Sequence, residues 1–129
     1  MKKGFLFCFF ILACAHIEKS VSQEVIGLTI EAPGSFPQKS FRAFLFYNIF
    51  HLSSGKFVIG ECKETVLKVE IVEWKLKMEE ETYILTAVAF LEKEGKIEEV
   101  IKVKEEGKKE KIIEAAAQQI AKRIIRRLK

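Results

Sequence analysis

Three thiols, two imidazoles and eighteen carboxylates are the side chains through which this 129-residue chain could do chemistry. Every one of the eighteen acids is Glu, and no Asp occurs anywhere. That removes the aspartyl, Asp-oriented triad and commonest phosphoryl-transfer arrangements at once. The seven glycines stand at 4, 27, 34, 55, 60, 95 and 107, never in GxGxxG or GxxxxGK spacing, and no serine sits in GxSxG. His16 and His51 have no metal-ligand spacing to a cysteine or to each other. Glu79-Glu80-Glu81 reads as a solvated turn rather than a cation site. No catalytic residue, metal site or cofactor is expected. A net charge of +4, from 22 basic and 18 acidic residues, also argues against bulk nucleic-acid binding, which needs a strongly basic domain.

The thiol with the most informative neighbours is Cys14. Met1-Lys2-Lys3 is a basic start, and the apolar run from Gly4 to Ala13 is shorter than the ~20 residues a bilayer span requires. Its length suits a signal-peptide core. The run ends in Ile11-Leu12-Ala13-Cys14, after which the chain turns polar. An aliphatic residue, a spacer, a small residue and Cys resembles the lipobox of bacterial lipoproteins. That resemblance implies cleavage before Cys14 and acylation of its thiol. Cys8 fits less well, because Phe7 is bulky where a small residue is required. The alternatives are a plain secretory signal or a retained short anchor. With Cys8 removed and Cys14 modified, Cys62 is left alone, so no disulfide framework is expected and packing must hold the fold. Cys62 reads as a structural or tolerated thiol. The expected organisation is a leader over 1–13, a lipidated tether over 14–24 and one domain over 25–129.

Hydrophobic periodicity lays out the domain. Residues 24–31 read as a strand that stops at Ala32-Pro33-Gly34. Ser35 with Gln38 offers a capping box, with Pro37 in the first turn. The helix that follows carries Phe41, Phe44, Phe46 and Phe50 and is apolar nearly all round, ending at Ser53-Ser54-Gly55. It is either buried over most of its surface, the simpler reading, or it offers an aromatic face to acyl chains or a partner. Residues 57–59 form a short strand. In the next strand Leu67, Val69 and Ile71 are odd-numbered, whereas Val72, Trp74, Leu76 and Met78 are even-numbered. A strict period of two cannot bury both sets, so the switch predicts a β-bulge or sharp twist between Ile71 and Val72. Tyr83 to Leu91 is apolar at both parities and reads as the most buried strand. A hairpin at 93–96 with Gly95 leads to a strand with Lys102 and Lys104 on a wet face. The expected fold is α+β, a mixed sheet of about four strands with two helices packed on one face. Its order is β-α-β-β-β-α if 57–59 merges with the long strand, and β-α-β-β-β-β-α if it does not. Strand 1 should lie parallel to the strand after the first helix, and the later strands should form a meander.

The last helix has apolar pairs at 112–113, 116–117, 120–121 and 124–125, with Leu128 beyond. Each step of four gains about 40°, so the stripe drifts and Ile112 and Leu128 end up about 160° apart. Residues 108–129 hold eight Lys+Arg against two Glu. The drift, which turns Ile124, Ile125 and Leu128 away from Ile112, and this basic end make Arg123, Arg126, Arg127 and Lys129 the candidate contact with anionic lipid or an acidic partner. Basic residues in a last turn also suit the helix dipole.

The lipobox, the strand Val66-Leu67-Lys68-Val69-Glu70-Ile71 after an aromatic helix, and the ending Ala116-Ala117-Gln118-Gln119-Ile120-Ala121-Lys122-Arg123-Ile124-Ile125-Arg126-Arg127-Leu128 resemble the lipopolysaccharide-assembly lipoprotein LptE family. Cys14-Ala15-His16 departs from the Cys-Gly-Tyr opening common in that family. The resemblance implies a lipid-anchored outer-membrane protein, on the periplasmic face, that plugs an LptD-like β-barrel and contacts lipopolysaccharide. Auxiliary lipoproteins of envelope lipid-transport ABC systems share a lipobox and a similar strand–helix order. A structural adaptor lipoprotein is the third alternative.

Protein extracted from membranes is expected to begin at Cys14 and to carry the mass of attached acyl chains. An intact leader, or a soluble product with another start, would overturn the anchoring assignment.

Overall fold

The structure, a computed structural model, describes residues 23–79 and 81–129. The expected leader, Cys14 and all of the expected tether except Gln23 and Glu24 lie outside the described residues. Glu24 is already strand, one residue earlier than the expected domain start.

The described elements are β1 (Glu24–Glu31), α1 (Gln38–Leu52), β2 (Phe57–Ile59), β3 (Thr65–Lys77), β4 (Thr82–Lys93), β5 (Lys96–Gly107) and α2 (Lys109–Leu128). The sheet has five strands in the order β2-β1-β3-β4-β5, one more than the merged order allows, because 57–59 stays separate from β3. β2 and β3 both lie parallel to β1, on its two sides, and β3, β4 and β5 form an antiparallel meander. Short β2 pairs only with residues 24–26 of β1, whereas β3 takes over at residues 27–31.

Both helices lie on one face of the sheet, α1 against β2, α2 against β4 and β5, and each against the other. Leu67, Val69 and Ile71 of β3, Leu85, Ala87, Ala89 and Leu91 of β4, and Ile101 and Val103 of β5 are all buried in a core with Phe41, Leu45 and Ile49 of α1. The even-numbered residues of β4, among them Ile84, Val88 and Phe90, are half-buried on the other face. Odd positions thus meet the helices, as the alternation of each strand requires.

The parity switch in β3 is a bulge. Ile71 opposes Ala87 and Glu73 opposes Thr86, so Val72 is the extra residue, and it is exposed. Past it Trp74 opposes Leu85 on the helix side. Trp74 stacks on Tyr83 with ring centroids 4.5 Å apart and meets Phe36 edge-on at 5.2 Å. Leu76 and Met78 continue the even set but run past the core and are exposed. A second bulge lies in β5, where Leu91 opposes Glu99 but Glu92 opposes Ile97, leaving Glu98 extra. The hairpin before it turns on Glu94 and Gly95, both at positive φ, which is the two-residue turn that matches strand twist.

The expected capping box does not form. The N-cap of α1 is Pro37, with no side-chain cap, and Ser35 lies in a turn closed by the Phe36 N–H donating to the Pro33 carbonyl. Phe36 decides this, because it is buried against Phe41, their ring centroids 5.5 Å apart. The two hold positions N′ and N4, a hydrophobic staple that fixes where the helix starts. At the other end Ser54 takes positive φ, its N–H donates to the His51 carbonyl, and the Gly55 N–H donates to the Phe50 carbonyl at 2.8 Å. That is a Schellman ending.

Deleting Val72 should leave a regular ladder, with Glu73 still opposite Thr86 on the open face and Trp74 still opposite Leu85 on the helix side. The deletion variant is expected to keep cooperative urea unfolding, whereas removing Val72 and Glu73 together, which turns Trp74 to the open face and Lys75 into the core, is expected to abolish it. Val72→Thr keeps the extra residue and should change stability by less than about 0.5 kcal/mol.

Candidate functional surfaces

Among the described residues no three His, Cys or Glu side chains come together as a metal site, and no helix is long and apolar enough to cross a membrane. Cys62 is half-buried and free, and its carbonyl oxygen sits where a side chain on Gly27 would begin, 2.3 Å from an added Cβ. Position 27 therefore admits only glycine unless the crossing segment moves.

The outer side of α1 is the first surface. Phe41, Leu45 and Ile49 are buried, with Phe44, Asn48 and Leu52 half-buried beside them. Ala43, Phe46, Tyr47 and Phe50, at i, i+3, i+4 and i+7, fall on the opposite side. Phe46 is 46% exposed, Tyr47 61% and Phe50 42%. Of the two readings of this helix, the simpler one, burial over most of its surface, is corrected. Two helices share one sheet face, and α1 needs only one stripe to cover β2 and meet α2. The His51 ring stacks on Tyr47 at 5.3 Å, nearly coplanar in tilt. No acid occurs between Glu31 and Glu61, whereas Lys39, Arg42 and Lys56 are exposed within that interval and make no ion pair among the described residues.

The end of α2 is the second surface. Ile124 and Ile125 are buried and Leu128 is partly buried against the core, so the expected drift exposes no apolar edge. The stripe need not face one flat surface, because α2 packs on the sheet along one flank and on α1 along another. A polar row at i, i+4 and i+8 runs beside β5 instead. Gln119 donates to the Glu105 carboxylate. Arg123 donates through Nε at 3.2 Å and Nη2 at 2.7 Å to one oxygen of Glu99, and Arg127 Nη2 donates to Glu98 at 3.0 Å. The Glu98 bulge is what supplies two successive acids to the helix. Arg126 and Lys129 are exposed and form no ion pair among the described residues. Summing charge by segment misses these bonds. The usable signal is Glu98-Glu99, placed by the short hairpin where the alternation of β5 begins.

The open sheet face is the third. Val72, Ile97 and Val100 are exposed on or beside it, but Lys68 pairs with Glu92 at 3.2 Å and Lys102 lies opposite Val88. Apolar and charged groups alternate too closely there to form one apolar patch.

No family model matches the chain, and no curated protein matches it in sequence. Solved structures are similar to it in fold. Two structures of the PelC dodecamer from Paraburkholderia phytofirmans, one a point variant, align at TM-scores of 0.60 and 0.59 with 12% and 11% identity. Each alignment covers 85% of this chain, and 91% and 89% of the respective PelC chain. A minor lipoprotein from Acinetobacter baumannii aligns at 0.50 with 15% identity, over 78% of this chain and 91% of that one. At such identities the likeness is one of fold.

A double-mutant cycle on Arg123→Gln and Glu99→Gln is expected to give a coupling of about 0.5–1 kcal/mol in urea unfolding, because both groups keep partial solvent contact. The coupling should shrink as salt rises. Arg126→Gln, with no ion pair to lose among the described residues, should be neutral.

Proposed function

We propose that this chain is a lipid-anchored lipoprotein of the bacterial envelope that acts by holding partners at a membrane and catalyses nothing. The observation that carries the proposal is Ile11-Leu12-Ala13-Cys14 behind a basic, apolar leader. The fold shared with a minor lipoprotein supports it.

The finer form follows the LptE-like resemblance. It makes the chain an accessory subunit of lipopolysaccharide assembly, set against an outer-membrane β-barrel at the periplasmic face. Arg126 and Lys129 are then the cations free for phosphate, with Arg123 and Arg127 already bound to Glu99 and Glu98. A second reading draws on the dodecameric state of PelC. In it several copies of this chain assemble on the membrane and the assembly is the functional unit.

Extraction from native membranes followed by affinity capture and native mass measurement tests these readings. Fixed stoichiometry with a large β-barrel is the expected result for lipopolysaccharide assembly. A closed homo-oligomer without the barrel would favour the second reading. Capture with inner-membrane transporter subunits would replace both by the ABC-auxiliary role. A soluble, unacylated monomer would overturn the proposal.

A further inference from the structure

The start of the domain is fastened to the end of α1. The Glu24 N–H donates to the Lys56 carbonyl at 2.8 Å, and the Gln23 side-chain amide donates to the Gly55 carbonyl at 3.2 Å. The loop they hold is itself tied down. Ser53 is buried, its Oγ accepts from the Phe57 N–H at 3.0 Å and donates to the Phe50 carbonyl at 3.2 Å. A side chain at Gly55 would start 3.5 Å from the Phe50 ring. Whatever anchors the chain upstream of Gln23 therefore leads directly to the aromatic end of α1. From Cys14 to Gln23 the chain can span at most about 30 Å, little more than the ~22 Å length of α1 itself.

We propose that the outer side of α1, with Phe46, Tyr47 and Phe50 at its centre and Lys39, Arg42 and Lys56 around it, seats in the headgroup layer of an anionic bilayer. Amphipathic aromatic rings favour that depth, and cations beside them meet lipid phosphates. The interval from Ala32 to Gly60 carries three cations and no acid, with Glu24 beside Lys56 the one carboxylate at its edge, and that balance favours an anionic surface. The face need bind only weakly, because a short tether keeps it at high local concentration next to the membrane. A protein partner is the poorer occupant. The side carries no carboxylate, and Tyr47 with His51 presents a polar-tipped stack suited to a boundary that is wet on one side. The proposal shares the lipid anchor with the function proposed above, and its test reads the face separately from the anchor.

Full-length Phe50→Trp protein is reconstituted into phosphatidylethanolamine–phosphatidylglycerol vesicles, and the emission of Trp74 in the parent protein is subtracted. Bromine-labelled acyl chains are expected to quench the new indole roughly twofold or more, and aqueous iodide is expected to leave it nearly unchanged. Replacing phosphatidylglycerol by phosphatidylcholine should reduce the lipid quenching, and equal quenching in both would overturn the anionic preference. Phe46→Ser with Tyr47→Ser in the same background should restore iodide access. Quenching by iodide and not by bromine would place the face in water, and quenching by neither would place it against protein. Either result overturns the proposal. Tyr47→Trp gives the same readout should Phe50→Trp disturb the loop at Gly55, and circular dichroism monitors folding in each variant. Acylation of Cys14 is scored separately by mass. An acylated chain with its face in water and an unacylated chain held by its face are thereby told apart.

Discussion

The close seat of α2 against the sheet is the constraint on which the rest of the structure depends. Ala87 and Ala89 of β4 line the helix side of the sheet, Ala116, Ala117 and Ala121 belong to α2, and all five have no solvent exposure. Small side chains on both elements bring the helix close to the strands, and Ile112, Ile113, Ile120, Ile124 and Ile125 fill the space to either side. Large-to-small balance at this seat leaves room for α1 on the same face. With both helices on one side, the other face of the sheet and the outer side of α1 stay uncovered. The uncovered surfaces are a consequence of how the core closes.

Two bulges adapt the meander to that core, in opposite senses. The extra residue Val72 returns Trp74 to the helix side, where it stacks on Tyr83 and meets Phe36, sealing the end of the core at which α1 begins. The extra residue Glu98 brings two acids to the flank of α2, where Arg123 and Arg127 take them. One bulge recovers hydrophobic burial that strict alternation would forfeit. The other places charges that strict alternation would point into solvent.

The α1 ending ties three parts of the fold together. A Schellman turn at Ser54 and Gly55, the Ser53 hydroxyl and the bonds from Gln23 and Glu24 join the start of the domain, the aromatic helix and β2 into one rigid corner. Folds of this kind host several roles, so shared architecture at 11–15% identity says little about what is bound. The chemistry of α1's outer side, aromatic and cationic without acid, is more specific than the fold.

Local pattern determined much here. The strands, the parallel placement of β1, the meander and the parity switch at Ile71 were legible because alternation is a property of consecutive residues. The expected leader and Cys14 are read along the chain in the same way, and they lie outside the described residues. The separate β2, the cap at Pro37 and the exposed side of α1 were decided only by tertiary structure. An all-round apolar helix carries no mark of which side will be covered, and Phe36 overrode a plausible capping box because burial against Phe41 and Trp74 outweighs one side-chain hydrogen bond. The basic end of α2 shows the limit most plainly. Its charge can be counted in sequence, but its bonds to Glu98 and Glu99 join residues 24 and 29 positions apart, and no local rule sees across that distance.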